Sequence, residues 1–289
     1  MKEDCGSSLQ SRPASAVGFI RRMRGGSQSH LLRADDGYCY VVKSPGNPQG
    51  SRTLANEYIA NCVLGRVGIN SPVLKFIQID SEFIQLNDMH FQLANKKVVL
   101  SAGVHLGLSY PGDPARTAVY DFLPAVMLTR VSNLAHFIGV LVCDKWLSNT
   151  DARQAMFFRE PSDSGDQRNE KGNTSFTAVM IDNGQILNGS HWKFVDSHRL
   201  CSYISPEVYS GVRGWSDFDP WFARINEFRD GDLERVSLSV PDEWIAGQTA
   251  ELQRIVQQLE YRIGQLPRLI EDMHRCCKPT PFINWNSAL

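Results

Sequence analysis

Residues Ser148 to Phe158 read SNTDARQAMFF. They follow an apolar run, Val131 to Ser148 (VSNLAHFIGVLVCDKWLS), whose composition predicts a helix buried on most sides, and they lead into QAMFFRE, which reads as a short strand. Asn149, Asp151, Arg153 and Gln154 therefore stand at a helix-to-strand junction. Asn and Asp commonly end helices because their side chains bond nearby backbone groups. The same junction suits a loop that presents a catalytic acid to a cleft, and the surrounding sequence has to decide between these readings.

Downstream, TSFTAVMID predicts a second strand, separated from the first by the polar, glycine-bearing PSDSGDQRNEKGN, read as a hairpin tip. Farther on, Leu252, Ile255, Val256, Leu259, Ile263 and Leu266 share one helical face, and Pro267 should break or kink the chain beyond it. Upstream, a loose tail to about Ser15 gives way to VGFIRRM, SHLLRA and YCYVVK, three candidate strands separated by GG and DDG turns, which suggest a small antiparallel sheet. The run TLANEYIANCVLGRVGI then predicts an amphipathic helix closed by Gly68, and PVLKFIQID resumes a strand. From Leu100 to Pro124 the Gly- and Pro-rich sequence (GVHLGLSYPGDP) is read as a long irregular connection. The order gives an α+β chain with a two-lobed outline. Residues 1–15 form a tail, 16–124 a β-rich lobe with one helix and a connection, and 125–289 a mainly helical lobe.

Composition narrows the function classes. The 289 residues suffice for a substantial core, and 42% hydrophobic with 21% charged residues is ordinary for a globular chain. A formal net charge of -1 gives no bulk attraction to nucleic acid or anionic membrane, so any anion site must be local. The seven cysteines contain no C-x-x-C pair, which argues against a disulfide framework or a zinc site and fits a reducing cytoplasm. The N-terminus lacks the apolar core of a secretory leader, and LAHFIGVLVC is too short to span a bilayer.

Phosphoryl transfer asks a protein mainly for charge placement: a glycine turn over phosphates, a lysine to grip them, a carboxylate to hold that lysine, and acids for base work and metal. GGSQSH joins two candidate strands, where the backbone N–H groups of Gly25, Gly26 and Ser27 can approach phosphate; as an isolated signal it is weak and better describes an ordinary hairpin turn. Lys43 ends the strand YCYVVK, a place where a lysine ordinarily just meets solvent. Glu57 sits close to the apolar stripe of the next helix, where an unpaired carboxylate would be costly; a Lys partner would resolve that cost, and Lys43 is the nearest upstream lysine. Asp182 ends TAVMID before Asn183 and Gly184, an ordinary turn sequence. In chain order, glycine turn, strand Lys, helix Glu, loop Asp and strand-end Asp reproduce the order in which protein kinases supply these parts.

Three stretches, YVVKSPGNPQGSRTLANEYIA, VLVCDKWLSNTDARQAMFFRE and AVMIDNGQ, strongly resemble the HipA-like kinase domain family, from about Val17 to Asn188 with a looser match in the helical C-terminal part. The resemblance implies a protein-kinase-like fold, similar to that of phosphatidylinositol kinases, with ATP and Mg²⁺ in a cleft between lobes. It gives Lys43 and Glu57 the pairing role, Asp151 the catalytic-loop role and Asp182 the metal role. Family members often carry an Asn near the end of the catalytic loop as a second metal ligand. Here RQAMFF offers Ala155, Met156 and Phe157, and Gln154 is the nearby amide whose oxygen can serve Mg²⁺. Arg153 is read as a brace for Asp151.

The expected activity is transfer of the γ-phosphoryl group of Mg-ATP to a hydroxyl, of a protein Ser/Thr or of a small molecule. The competing reading is a pseudokinase-like nucleotide-binding or scaffold module, which the missing Asn supports and the retained Lys43, Glu57, Asp151 and Asp182 oppose. Nothing in the sequence names the acceptor.

Overall fold

The computed structural model of the chain describes residues 12–159, 175–229 and 231–285. The expected hairpin tip at 161–173 lies outside them, as do residues 1–11 of the expected tail; Ala14 and Ser15, inside that tail, already form strand. Strands β1 (Ala14–Arg22), β2 (His30–Ala34) and β3 (Cys39–Lys43) pair as successive antiparallel neighbours. Helix α1 (Arg52–Val67) comes next, closed by Gly68 at φ 79°, whose N–H bonds the Leu64 and Gly65 carbonyls. Then come β4 (Leu74–Ile79), the short helix α2 (Ser81–Leu86), capped by the Asp80 side chain on the Phe83 N–H, and a hairpin of β5 (His90–Leu93) and β6 (Lys96–Val99).

Strand β7 (Gly103–Ser109) inserts between β3 and β4, and Ala14 and Ser15 pair in parallel with Ile77 and Gln78, closing a barrel in the order β1-β2-β3-β7-β4. The sheet is thus not wholly antiparallel: alternating directions cannot close around an odd number of strands, so one neighbouring pair must run parallel. It also corrects the reading of the Gly-rich segment as irregular. A Cβ on Gly107 would lie 2.7 Å from Ile77 Cγ1 and 3.0 Å from the Lys75 carbonyl oxygen, so here glycine permits close strand approach instead of marking a loop.

The second half contains β8 (Val119–Tyr120), α3 (Ala125–Leu128), α4 (His136–Trp146), β9 (Gln154–Arg159) and β10 (Phe176–Ile181), with the strands in the order β10-β9-β8. Helices α5 (Asp219–Asn226), α6 (Asp232–Leu238), α7 (Asp242–Ile245), α8 (Thr249–Arg262) and α9 (Leu266–Cys276) complete it. Pro267 starts α9 rather than kinking it, because the first turn needs no N–H from that position. Every residue of α4 from Phe137 to Trp146 is buried, and the indole of Trp221 packs where a side chain on Gly139 would stand.

Two apolar cores result. One fills the barrel around Leu32, Val42, Ile77 and Phe91, and the larger joins α1 to α4 and the C-terminal helices. Helix α1 is therefore buried on nearly every side, not amphipathic as its sequence suggests. Among the described residues no helix is long and apolar enough to cross a membrane. Among the described residues Cys39, Cys143, Cys201, Cys276 and Cys277 are free thiols.

Candidate active site

Strand β3 delivers Lys43 at its last position, and α1 packs against the same end of the barrel, so Lys43 Nζ meets Glu57 Oε2 at 2.8 Å. Nζ also reaches Asp182 Oδ1 at 3.0 Å, just beyond the end of β10. Glu57 is fully buried, whereas the Asp182 side chain keeps 29% of its surface open. Burial by itself would lower the Lys43 pKa; the Glu57 and then the Asp182 carboxylate outweigh it, and the pKa is raised. The neighbouring ammonium, opposed by partial burial, holds the Asp182 carboxyl below its ordinary value. Asp182 adopts φ 59°, a left-handed conformation uncommon for a residue with a side chain and frequent at functional loops.

Gln154, the first residue of β9, stands opposite Ile181 and extends its Nε2 to Asp182 Oδ2 at 3.1 Å. The strand register therefore brings Gln154 and Asp182 together. Among the described residues no three His, Cys, Asp or Glu side chains converge to cage a metal. A nucleotide-borne Mg²⁺ does not need such a cage, since one or two carboxylates suffice when phosphate and water oxygens complete the shell. Asp182 with the amide of Gln154 fits that requirement once the amide turns its oxygen forward.

The loop from Leu147 to Arg153 is held by buried polar groups. Arg153 bonds Asp144 twice, Nε to Oδ2 at 2.8 Å and Nη2 to Oδ1 at 2.5 Å. Asn149 Nδ2 donates to the same Asp144 Oδ1 at 3.0 Å, and Asn149 Oδ1 accepts the Asp151 N–H at 3.1 Å. The Asp151 carboxylate is part-exposed and accepts the N–H of Ala152 at 2.8 Å. Arg153 thus braces Asp144 and not Asp151. A guanidinium that is almost wholly buried needs an equally buried counter-charge, and Asp144, on the last turn of α4, supplies it.

Asn183 connects the two groups. Its backbone N–H donates to Glu57 Oε2 at 2.7 Å, its Nδ2 to Glu57 Oε1 at 3.3 Å, and its Oδ1 accepts Arg153 Nη1 at 2.8 Å. One residue before Glu57, Asn56 shares the two N–H donors of its Nδ2 among the carbonyls of Gly184, Ile186 and Gly189 at 2.9–3.0 Å and accepts Trp192 Nε1 at 2.9 Å.

The turn of Gly25, Gly26 and Ser27 joins β1 to β2 with Gly25 at φ 119°, and Gly26 faces the Gln49 side chain in the segment after Lys43. Gln28 pins this turn to β5 by two bonds, Nε2 to Gln92 O at 2.8 Å and Oε1 from Gln92 N–H at 2.7 Å.

A family model described as HipA-like kinase matches residues 17–274 of this sequence. The chain belongs to the HipA-like kinase family. Among solved structures, this HipA-like kinase is similar to the Helicobacter pylori proinflammatory kinase CtkA at 13% identity and TM-score 0.53, over 90% of this chain and 99% of that one. It is similar to hydra Fam20 with sugar at 12% identity and TM-score 0.51, over 93% and 89% of the two chains. A third likeness is to the Golgi casein kinase, at 8% identity and TM-score 0.50, over 96% and 78%. At such identities the likeness is one of kinase fold alone. No curated protein matches the sequence.

In this HipA-like kinase the structure thus gathers four of the residues singled out in the sequence, Lys43, Glu57, Asp182 and Gln154, by direct contact. It connects Asp151 to them through its backbone and the Asn149–Asp144–Arg153–Asn183 chain. Sequence reasoning passed over Asn183, Asn56 and the partner of Arg153. The one available signal was Asn56 beside Glu57, two polar residues in succession inside a helix otherwise rich in apolar ones.

Proposed function

We propose that the chain is an ATP-dependent phosphotransferase, with nucleotide and Mg²⁺ held where a β-barrel lobe (14–124) meets a mainly helical lobe (125–289). The observation that carries this reading is the Lys43 ammonium shared between buried Glu57 and part-open Asp182. A lysine that only neutralised a buried carboxylate would not also reach a second acid with a solvent-facing edge.

Within this reading Lys43, aimed by Glu57, grips phosphate oxygens as a compact charge. The N–H groups of Gly25, Gly26 and Ser27 would supply hydrogen bonds to the phosphates. Asp182 and Gln154 hold Mg²⁺, which when bound supplies charge neutralisation to the phosphates. Asp151 orients the acceptor hydroxyl and takes up its proton; its part-exposed carboxylate leaves an oxygen free for that contact. The acceptor is a Ser or Thr hydroxyl of a protein, or a small-molecule alcohol, in the cytoplasm and with no part for nucleic acid or membrane.

The second reading, a nucleotide-binding scaffold without transfer, is favoured by the stretch after Asp151, where RQAMFF carries Gln154 and no Asn. The test is incubation of the purified chain with γ-labelled ATP and Mg²⁺ or Mn²⁺, following self-labelling and ATP loss beside an Asp151→Ala control. Transfer that disappears in the control supports the enzyme. Nucleotide binding with no transfer by the unaltered chain selects the scaffold.

A further inference from the structure

We infer that Asn183 is a positioning residue for phosphoryl transfer, carrying the Lys43–Glu57 pair on the loop that begins at Asp182 and tying it, through Arg153, to the loop of Asp151. The inference rests on the phosphotransferase reading of the same site. Asn183 touches both oxygens of the Glu57 carboxylate, Oε2 by its backbone N–H at 2.7 Å and Oε1 by its Nδ2 at 3.3 Å. Two donors from one residue fix the plane of the carboxylate, and Lys43 then meets Oε2 at 2.8 Å from one direction. Asn61 completes the set with Nδ2 on Oε1 at 3.0 Å.

The chemistry of the side chain matters here. Position 183 must donate to a carboxylate on one side and accept from a guanidinium on the other, Arg153 Nη1 at 2.8 Å. A carboxylate there would accept from Arg153 but oppose Glu57, and an apolar side chain would satisfy neither. Arg153 Nη1 also bonds the Ile181 carbonyl at 2.9 Å, immediately before Asp182, so the strand end, the candidate metal residue and the pair are set by one guanidinium. Asn56 adds the two N–H donors of its Nδ2, shared among the carbonyls of Gly184, Ile186 and Gly189, from α1. Swinging α1 away from this segment would strand a buried carboxylate and two buried amides, an expensive rearrangement. The Lys43–Glu57 pair is therefore assembled by the chain itself and does not wait on a movement of α1.

The test uses the full chain and the variants Asn183→Ala, Asn183→Asp and Glu57→Gln, measured per folded molecule. Asn183→Ala should lower kcat at least about ten-fold while KM for Mg-ATP stays within about three-fold, since phosphate contacts remain and their alignment is lost. Asn183→Asp keeps the volume, the backbone donor and the acceptor for Arg153 but replaces the side-chain donor to Glu57 with a like charge, so it should show the same loss even if the Ala variant folds poorly. In a Glu57→Gln background, Asn183→Asp should change kcat by less than about two-fold, because it leaves the acceptor for Arg153 in place and its effect passes through Glu57. Wild-type kcat in the Asp variant, or effects that simply multiply in the double variant, would overturn the inference.

A readout that needs no catalysis separates this from the kinase reading: pulse acetylation of Lys43 by acetic anhydride, followed by peptide mass spectrometry. Should the unaltered chain transfer no phosphate, the kinase reading fails, and labelling alone decides the point. Several-fold faster acetylation of Lys43 in Asn183→Ala supports the positioning role, and an unchanged rate overturns it.

Discussion

Replacing Lys43 by Met isolates the energetics of the site. The substitution roughly keeps the length and volume of the aliphatic stem and removes the ammonium that lies 2.8 Å from Glu57 and 3.0 Å from Asp182. Those two carboxylate oxygens, each within 3.0 Å of one nitrogen, lie within about 6 Å of each other and would face one another without a cation. Breaking a buried pair by removing one partner costs about 3–5 kcal/mol. The low end applies, because Glu57 keeps the donors of Asn183 and Asn61 and Asp182 retains an open edge. A loss of about 3 kcal/mol should lower the melting temperature by roughly 5 °C for a chain of 289 residues. Adding Glu57→Gln should recover part of that loss, since the buried charge left behind is then gone. Thermal unfolding followed by circular dichroism on the wild type, both single variants and the double variant measures this. A Lys43→Met variant that melts with the wild type, or a double variant whose loss equals both single losses together, would refute the assigned ion pair.

Asp182→Asn preserves a side chain tolerant of the left-handed backbone while halving its carboxylate oxygens, so the fold should hold and Mg²⁺-dependent nucleotide affinity should collapse in calorimetry. Gln154→Ala should slow transfer about ten-fold yet move stability by less than about 0.5 kcal/mol, because the side chain is exposed; lost stability with full turnover would give it a structural role instead. His105, buried between Ser44 Oγ at 2.8 Å and the Ser101 carbonyl at 3.1 Å, has its pKa pushed down to about 4, first by burial. As pH falls from 6.5 toward about 4 the unfolded chain takes up this proton before the folded one, so stability should drop by roughly 3 kcal/mol, and His105→Gln should flatten that slope in urea titrations across the window.

Much of this was readable in the chain because the relevant residues punctuate local patterns. Lys43 and Asp182 mark strand ends, Glu57 interrupts an apolar helix, and helix α1 ends at the glycine expected to close it. The features that escaped were non-local. Strand β7 was hidden because Gly107 answers to the neighbouring strand, through Ile77 and Lys75, and no local pattern shows that approach. The partner of Arg153 was misassigned because sequence proximity favours Asp151, two residues away, whereas burial selects Asp144 on the preceding helix. Asn183 reads as a turn former on its own; only the packing of α1 against the loop gives its amide a carboxylate and a guanidinium to join.

The central claim is that Lys43, Glu57, Asp182 and Gln154 form a nucleotide-phosphate and metal site. Its most direct test is a crystal of the chain grown with ADP and Mn²⁺, examined for the anomalous signal of the manganese. The account expects a peak at about 2 Å from an Asp182 carboxylate oxygen and from the Gln154 amide oxygen, with a phosphate oxygen against Lys43 Nζ. Manganese and nucleotide bound away from Asp182, or a Lys43 that keeps both carboxylates and touches no phosphate, would contradict it.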